Sequence, residues 1–352
     1  MKLKIFQVDA FTDTAYGGNP AGVVPLIDEK VKLNENQMQK IAREINCAET
    51  AFITLSDNPI ADYKVRFFTP KEEVDLCGHA TIASFWLLAE KGYIEMKEPV
   101  KILTQETKAG ILPLAIYSLC GKIQKVMMLQ SDPKFYPALD KKQKSALAKI
   151  LGLSTDDFYI PSKPIAQPVI VSTGLSNLLV PVKDLETLKT IKPDFNSLSS
   201  FSKGLDVISV HAFTFDTFSE DSTVCCRNFG PRVGINEESA TGTASGALGA
   251  YLTAFGFVPI KKPTTKIICE QGFFMDRPSR IEVEIDITEV QSAHSPESKI
   301  IFPNSENVSK LTEPRRCSSC CSNLQHDVEH FIIEKVKVGG KAVTVIEGDI
   351  LI

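Results

Sequence analysis

Two short segments, each apolar almost all the way round, constrain this chain more than anything else in it. Leu76-Cys77-Gly78-His79-Ala80-Thr81 runs into the apolar stretch 82–89, where Glu90 and Lys91 are the first charges and Gly92 follows. Ala240-Thr241-Gly242-Thr243-Ala244-Ser245-Gly246-Ala247 runs into 248–254 and stops at Gly256. At an offset of 164 residues (240 minus 76), Gly78 matches Gly242, Ala80 matches Ala244, Leu88 matches Leu252 and Gly92 matches Gly256. Each segment is predicted to be a helix ended by a glycine just past its last turn. A short helix without a polar face must be buried on all sides, and it is too short to span a bilayer. Upstream, Arg66-Phe67-Phe68-Thr69-Pro70 pairs with Arg227-Asn228-Phe229-Gly230-Pro231. The shared Arg-x-Phe-x-Pro pattern makes these two copies of one structural unit.

Each copy opens on a helix N-terminus. The first N–H groups of a helix have no partner inside it, and the helix dipole places partial positive charge there, so the position suits a carboxylate. His79 stands at one such terminus, with Cys77 two residues before it.

Composition removes several classes of function. The net charge of −4 over 352 residues gives no basic surface for nucleic acid or an anionic membrane. The opening Met1-Lys2-Leu3-Lys4-Ile5-Phe6 reaches Asp9 too early for a signal peptide, and no apolar run is long enough to cross a membrane. Nine cysteines, an odd number outside any secretory context, are expected to be free thiols in the cytoplasm.

The chain alternates strands with a few helices. Residues 2–24 read as strand, turn, strand. Asn34 caps a helix running to about Ile45, and strands follow at 51–55 and 64–68. Short β-like runs broken by Gly110 and Gly121 fill 100–129, and 132–139 reads as a linker. A helix at 145–151 is followed by strand patterns at 168–174, 178–182, 205–215, 267–270 and 281–287. The end reads as a hairpin turning at Gly339-Gly340. This gives an N-terminal half at 1–130, completed by a last strand at 342–352, and a C-terminal half at 131–341. The second half carries a Ser/Cys-rich insertion at about 292–325. Cys317, Cys320 and Cys321, then His326 and His330, are zinc-ligand types, but only five residues (321 to 325) separate Cys320 from His326. That is short for a finger, and no metal is expected. Glu49 stands at the mouth of a strand close in sequence to the first helix terminus. Two readings of it stay open, an acid/base group and a solvated loop residue.

Together the motifs resemble the phenazine-biosynthesis PhzF isomerase family. They are Asp9-Ala10-Phe11 with Gly18-Asn19-Pro20-Ala21, Ala48-Glu49-Thr50-Ala51-Phe52, Leu76 to Thr81, Arg227 to Pro231, Glu238 to Ala244, Gln271-Gly272, Arg277-Pro278-Ser279 and Val338-Gly339-Gly340. The resemblance implies an α/β (α+β) fold like that of diaminopimelate epimerase. Such a fold has two pseudo-symmetric halves, each a curved mixed sheet around a central helix, with the active site in the cleft between them. It also implies a homodimer and no cofactor. Carried over, Glu49 matches the proton-transferring carboxylate and His79 the substrate-contacting histidine. Glu238 stands where the family usually has Asp, Ser239 where it has Pro, and Thr243 where it has Ser. Glu49, His79, Glu238 and Thr243 are thereby the catalytic candidates. Asn19, Gly78, Ala80, Gly242 and Ala244 are the substrate-binding ones.

The function expected is a cofactor-independent isomerase that moves a proton between carbons of a small unsaturated or carbonyl-bearing carboxylic acid. A racemase or epimerase using two thiols is the first alternative. It needs a base on each face of the carbon, and the repeat sets Thr241 opposite Cys77. A catalytically degenerate binding or scaffold protein is the second, favoured by the departures at Glu238, Ser239 and Thr243.

Overall fold

Strand pairing in the computed structural model, which describes residues 2–27, 31–289 and 331–352, runs through the same sequence twice. The first pass contains β1 (Lys2–Ala10), β2 (Asn19–Pro25), α1 (Glu35–Ile45), β3 (Glu49–Leu55), β4 (Tyr63–Phe68), β5 (Glu73–Val74), α2 (Gly78–Glu90), β6 (Val100–Thr107), β7 (Gly110–Leu119) and β8 (Lys122–Leu129). Next come β9 (Lys134–Ala138) and α3 (Lys141–Leu151). The second pass contains β10 (Val169–Ser172), β11 (Ser176–Pro181), α4 (Leu185–Thr190), α5 (Phe195–Gly204), β12 (Ser209–Thr214), β13 (Val224–Gly230), β14 (Ile235–Glu238), α6 (Gly242–Ala254), β15 (Thr264–Gln271), β16 (Ser279–Glu289) and β17 (Phe331–Gly340). β18 (Ala342–Leu351) closes the chain.

In the first pass β1–β2 is antiparallel, β2–β3 parallel, β3–β4 and β4–β5 antiparallel, β4–β6 parallel, and β6–β7–β8 antiparallel. The second pass repeats every sense in order, from β10–β11 to β16–β17. β8 and β17 pair antiparallel and join the two sheets. Each half then lends its last strand to the other: β9 pairs with β10, and β18 pairs with β1.

The two apolar helices sit where their composition demands. Ten of the 13 residues of α2 and 11 of the 13 of α6 are buried, so each is the core of its half. Gly92 and Gly256 follow them in left-handed conformation, with φ of 77° and 66°. The repeated Arg-x-Phe pattern also has a physical basis. Arg66 makes two parallel bonds of 2.7 Å to Glu73 and lies 5.1 Å from the centre of the Phe68 ring. Arg227 makes two of 2.8 Å to Glu237 and lies 4.9 Å from the centre of the Phe229 ring. Each clamp ties a short strand (β5 or β14) to its neighbour just before the central helix begins.

Three expectations are corrected. Residues 132–139 are not a linker, because they contain β9; Pro137 hides the pattern, and an edge strand tolerates it. The chain does not end in a hairpin. β17 pairs with β16 and β8 while β18 pairs with β1, since the single residue Lys341 between them is too short a turn and instead passes the chain to the other half. Helices α4 and α5 were not foreseen, although Asp184 and Asp194 cap them with side-chain bonds to backbone N–H groups. The cysteines that can be described, Cys47, Cys77, Cys120, Cys225, Cys226 and Cys269, are free thiols. No helix among the described residues is long and apolar enough to cross a membrane.

The insertion at about 292–325, with its Cys and His residues, lies outside the described residues. Its flanks do not: Glu289 and Phe331 are register partners on β16 and β17. The ends of that segment are therefore already at hairpin distance. Replacing 290–330 by Asn-Gly is expected to raise the thermal midpoint modestly, since each halving of a loop recovers about 0.6 kcal/mol and this replacement halves it about four times. Loss of the cooperative melting transition would show that the segment contributes to the core.

Candidate active site

The site is assembled where both central helices begin. In α2 the first intrahelical bond is Thr81 N–H to Cys77 C=O, and in α6 it is Ser245 N–H to Thr241 C=O. The N–H groups of Gly78, His79 and Ala80, and of Gly242, Thr243 and Ala244, precede those bonds and have no partner within their helices. Both termini open on a cleft of about 680 Å³ between the halves. Glu49 enters it as the first residue of β3, His79 from the first turn of α2, and Glu238 as the last residue of β14.

His79 is the hub. Its ring is 4% exposed, with Nε2 3.3 Å from Glu49 Oε2, and Nδ1 3.4 Å from Cys77 Sγ and 3.8 Å from Glu238 Oε1. Glu49 Oε2 is buried and, among the described residues, is not aligned for any hydrogen bond. A carboxylate oxygen held in that way keeps its lone pairs for a ligand.

Glu238 is tied in from the side. Its Oε1 accepts from Asn19 Nδ2 at 2.9 Å and its Oε2 from the Thr241 hydroxyl at 2.6 Å. Gln271 Nε2 donates to that hydroxyl at 3.1 Å and to the Glu238 carbonyl at 2.7 Å. Because Gln271 Nε2 can only donate, Thr241 accepts from it and turns its own proton to Glu238. Burial nevertheless pushes the Glu238 carboxyl above its ordinary range; His79, Thr241 and Asn19 pull against the shift, and the nearby Glu49 adds to it. The sign for stability follows. A carboxyl with a raised folded-state pKa stabilises the fold below the unfolded value of about 4.5 and loses that contribution as pH rises through the folded value. Glu238→Gln, which cannot ionise, is expected to gain in melting temperature relative to wild type as pH is taken from 4.5 to 7. A difference that is flat, or moves the other way, would show that Glu238 is not strained by ionisation.

Of the residues named from sequence, Glu49, Gly78, His79, Glu238, Gly242 and Thr243 line the cleft. Asn19, Ala80 and Ala244 do not. Asn19 is buried and holds Glu238 and the Ala240 carbonyl, while Ala80 and Ala244 turn fully buried methyls into the core. Ser239, in the place of a family proline, donates to the Gly18 carbonyl and so ties the second half to the first. The far wall was not foreseen. Asn177, Ser209 and Asn228 line it, the Ser209 hydroxyl lying 2.8 Å from the amide oxygens of both asparagines. Asn228 lies inside the repeated pentapeptide, and its register with Glu238 puts both side chains on one face. Ser209 occupies on β12 the place that Glu49 has on β3, each preceding the residue paired with the clamp phenylalanine. Metal-ligand types also meet: one atom each of Glu49, Cys77 and His79 lie within 4.8 Å of one another.

Comparison with known proteins identifies the family. The family profile described as phenazine biosynthesis-like protein, PhzC-PhzF, matches residues 8–299. The chain belongs to the PhzF family. Among its curated relatives, the uncharacterized isomerase YfhB of Bacillus subtilis is 38% identical over 284 residues, covering 80% of this chain and 90% of that protein. The uncharacterized isomerase YddE of Escherichia coli K12 is 33% identical over 303 residues, covering 83% and 93%. A crystal structure of a PhzF-family phenazine biosynthesis protein from Bacillus anthracis superposes with a TM-score of 0.76 at 30% identity, covering 100% of both chains. A hydroxyproline epimerase from Agrobacterium vitis shares the fold, with a TM-score of 0.56 at 14% identity.

Proposed function

We propose that this PhzF-family isomerase moves a proton between two carbons of a small unsaturated or carbonyl-bearing carboxylic acid, without a cofactor, with Glu49 as the general acid/base. The observation that carries the reading is the buried, unbonded Glu49 Oε2, set 3.3 Å from His79 in a cleft onto which two helix N-termini open. The free N–H groups of those termini bind and polarise the substrate carboxylate, which acidifies the neighbouring C–H. Glu49 takes the proton, and His79, between the two glutamates, orients the reacting portion and helps return it. Glu238, fixed by Asn19 and Thr241, binds a donor on the substrate. The protein acts in the cytoplasm as a homodimer, which sedimentation equilibrium would check. The test is a thermal-shift screen of small carboxylic acids, followed by NMR of each stabilising acid in deuterated buffer. The reading requires an isomerised product in which any deuterium that enters sits at a carbon other than the one deprotonated; stabilising acids that are neither isomerised nor exchanged would leave only a binding protein.

The two-thiol alternative finds no support in the site. Burial, reinforced by Glu49, pushes the Cys77 thiol well above its ordinary range, which disfavours the thiolate that such a racemase needs. At the matching position the Thr241 hydroxyl is committed to Glu238 and Gln271. No α-proton exchange is expected when D- or L-amino acids are incubated in deuterated buffer. Exchange that stops on alkylation of Cys77 would reinstate the racemase.

A further inference from the structure

We propose that Glu49, Cys77 and His79 form a binding site for one thiophilic divalent cation, zinc above all, with its open coordination position facing the cleft. The three donors are a carboxylate oxygen, a sulfur and an imidazole nitrogen, a set that selects zinc and its neighbours over magnesium or calcium. His79 Nε2 lies 3.3 Å from Glu49 Oε2 and 3.9 Å from Cys77 Sγ, and all three ligand atoms lie within 4.8 Å. A tetrahedral zinc with bonds of about 2.0–2.3 Å needs its ligand atoms about 3.4–3.6 Å apart, so the widest pair has to close by up to about 1.2–1.4 Å, and the His79 ring, whose Nδ1 is nearer the sulfur than its Nε2, has to turn. The ligands start from defined places: Cys77 is the N-cap of α2, His79 is in its first turn, and Glu49 is the first residue of β3, where it pairs with Ala21 of β2.

Two further observations favour a cation. Glu49 Oε2 is buried without a hydrogen bond, which is costly for a carboxylate oxygen unless something binds it. Glu238 Oε1, 3.8 Å from the other ring nitrogen of His79, is positioned to fix the ring by accepting its second N–H once the first nitrogen is ligated. The helix termini oppose a cation with about half a unit charge each, but two carboxylates and a metal-bound thiolate outweigh them. Whether the protein is an isomerase does not enter the binding argument. If it is, the cation occupies the Glu49 oxygen that proton transfer needs, and the metal-loaded protein is inactive.

The experiment uses full-length protein, stripped of metal and titrated with Co²⁺ and then Zn²⁺. Cys317, Cys320 and Cys321 could bind metal as well, so the Cys317→Ser/Cys320→Ser/Cys321→Ser triple variant is titrated beside wild type. The expected result is one cobalt per protomer with a near-ultraviolet thiolate-to-cobalt band, displaced by zinc, in both wild type and the triple variant. Cys77→Ala should abolish the band. Glu49→Gln, which keeps the fold and the thiol, should weaken zinc binding by about 10–100-fold or more, the range that even outer-shell partners of a metal are worth. No thiolate band in wild type, a band lost in the triple variant but kept in Cys77→Ala, or unchanged zinc affinity in Glu49→Gln would each overturn the proposal. These readouts need no substrate, so failure of the metal site leaves the isomerase reading standing, and the reverse also holds.

Discussion

Glu49→Gln is expected to lower kcat by about 10²–10⁴-fold, the range usual for losing a general base. The substitution preserves shape and size and removes only the ability to take a proton. It should cost little stability, because Glu49 Oε2 makes no hydrogen bond that the amide would forfeit. Ligand affinity should also hold, since in the proposed mechanism the helix N-termini, and not Glu49, bind the substrate carboxylate. The signature is therefore a fall in kcat with KM and melting temperature nearly constant, which marks an interaction made only in the transition state. His79→Ala should behave differently. That ring lies between Glu49, Cys77 and Glu238, and its loss opens a void that lets both glutamates move, so KM should rise as kcat falls. Turnover of an identified substrate by Glu49→Gln at close to the wild-type rate would sink the proton-transfer mechanism while leaving the fold untouched.

What could be read in the sequence was whatever is encoded locally. The central helices were legible because an apolar stretch ending in glycine is a local signal, and the repeat was legible because Arg66 and Arg227 each need a phenylalanine two residues on for their stacking. The positions of Glu49 and His79 at an element's first residue or first turn could be read locally, but their catalytic roles came from the resemblance. Glu238 was named by resemblance; what fixes it in the cleft is its tie to Asn19, 219 residues away, which no local pattern reports. The far wall stayed hidden for the same reason. Asn228 is a cleft residue only because β13 pairs with β14 in the register that sets it opposite Glu238, and register is a property of two strands at once. The exchange of β9 and β18 between halves was half legible. A last strand could be assigned to the first half, but β9 carries Pro137 and only five residues, so its edge pairing on β10 left no alternation to see. Helices α4 and α5 fail differently: at six and ten residues they bury too few apolar side chains to show a period, and only their aspartate caps announce them.

Gly339→Ala is expected to be strongly destabilising. Gly339 lies on β17, opposite Met127 on β8 and Glu282 on β16. It therefore sits in the β8–β17 pairing, one of three, with β9–β10 and β18–β1, that join the two halves. A Cβ at this position would fall onto the Val126 carbonyl oxygen and within 2.7 Å of Met127 Cα. A flexible side chain could swing away from such an approach, but the backbone of a paired strand cannot without breaking its own ladder. Either β8 and β17 separate or the strand bulges, and the expected cost is upwards of about 3 kcal/mol. The consequence reaches the site, because Met128 packs at Gly78 and Val338 at Gly242, so this seam fixes the distance between the two helix N-termini. Gly348→Ala is the matched control: it too lies in a paired strand, opposite Ile5, but a Cβ there meets nothing within 4 Å and its φ is not in the left-handed region. Urea denaturation should show a normal midpoint for Gly348→Ala and a strongly lowered one, or no folded protein at all, for Gly339→Ala. If Gly339→Ala unfolds at the wild-type midpoint, the two halves are not held by this seam, and the rigid spacing of the helix termini on which the proposed carboxylate site depends has to come from elsewhere.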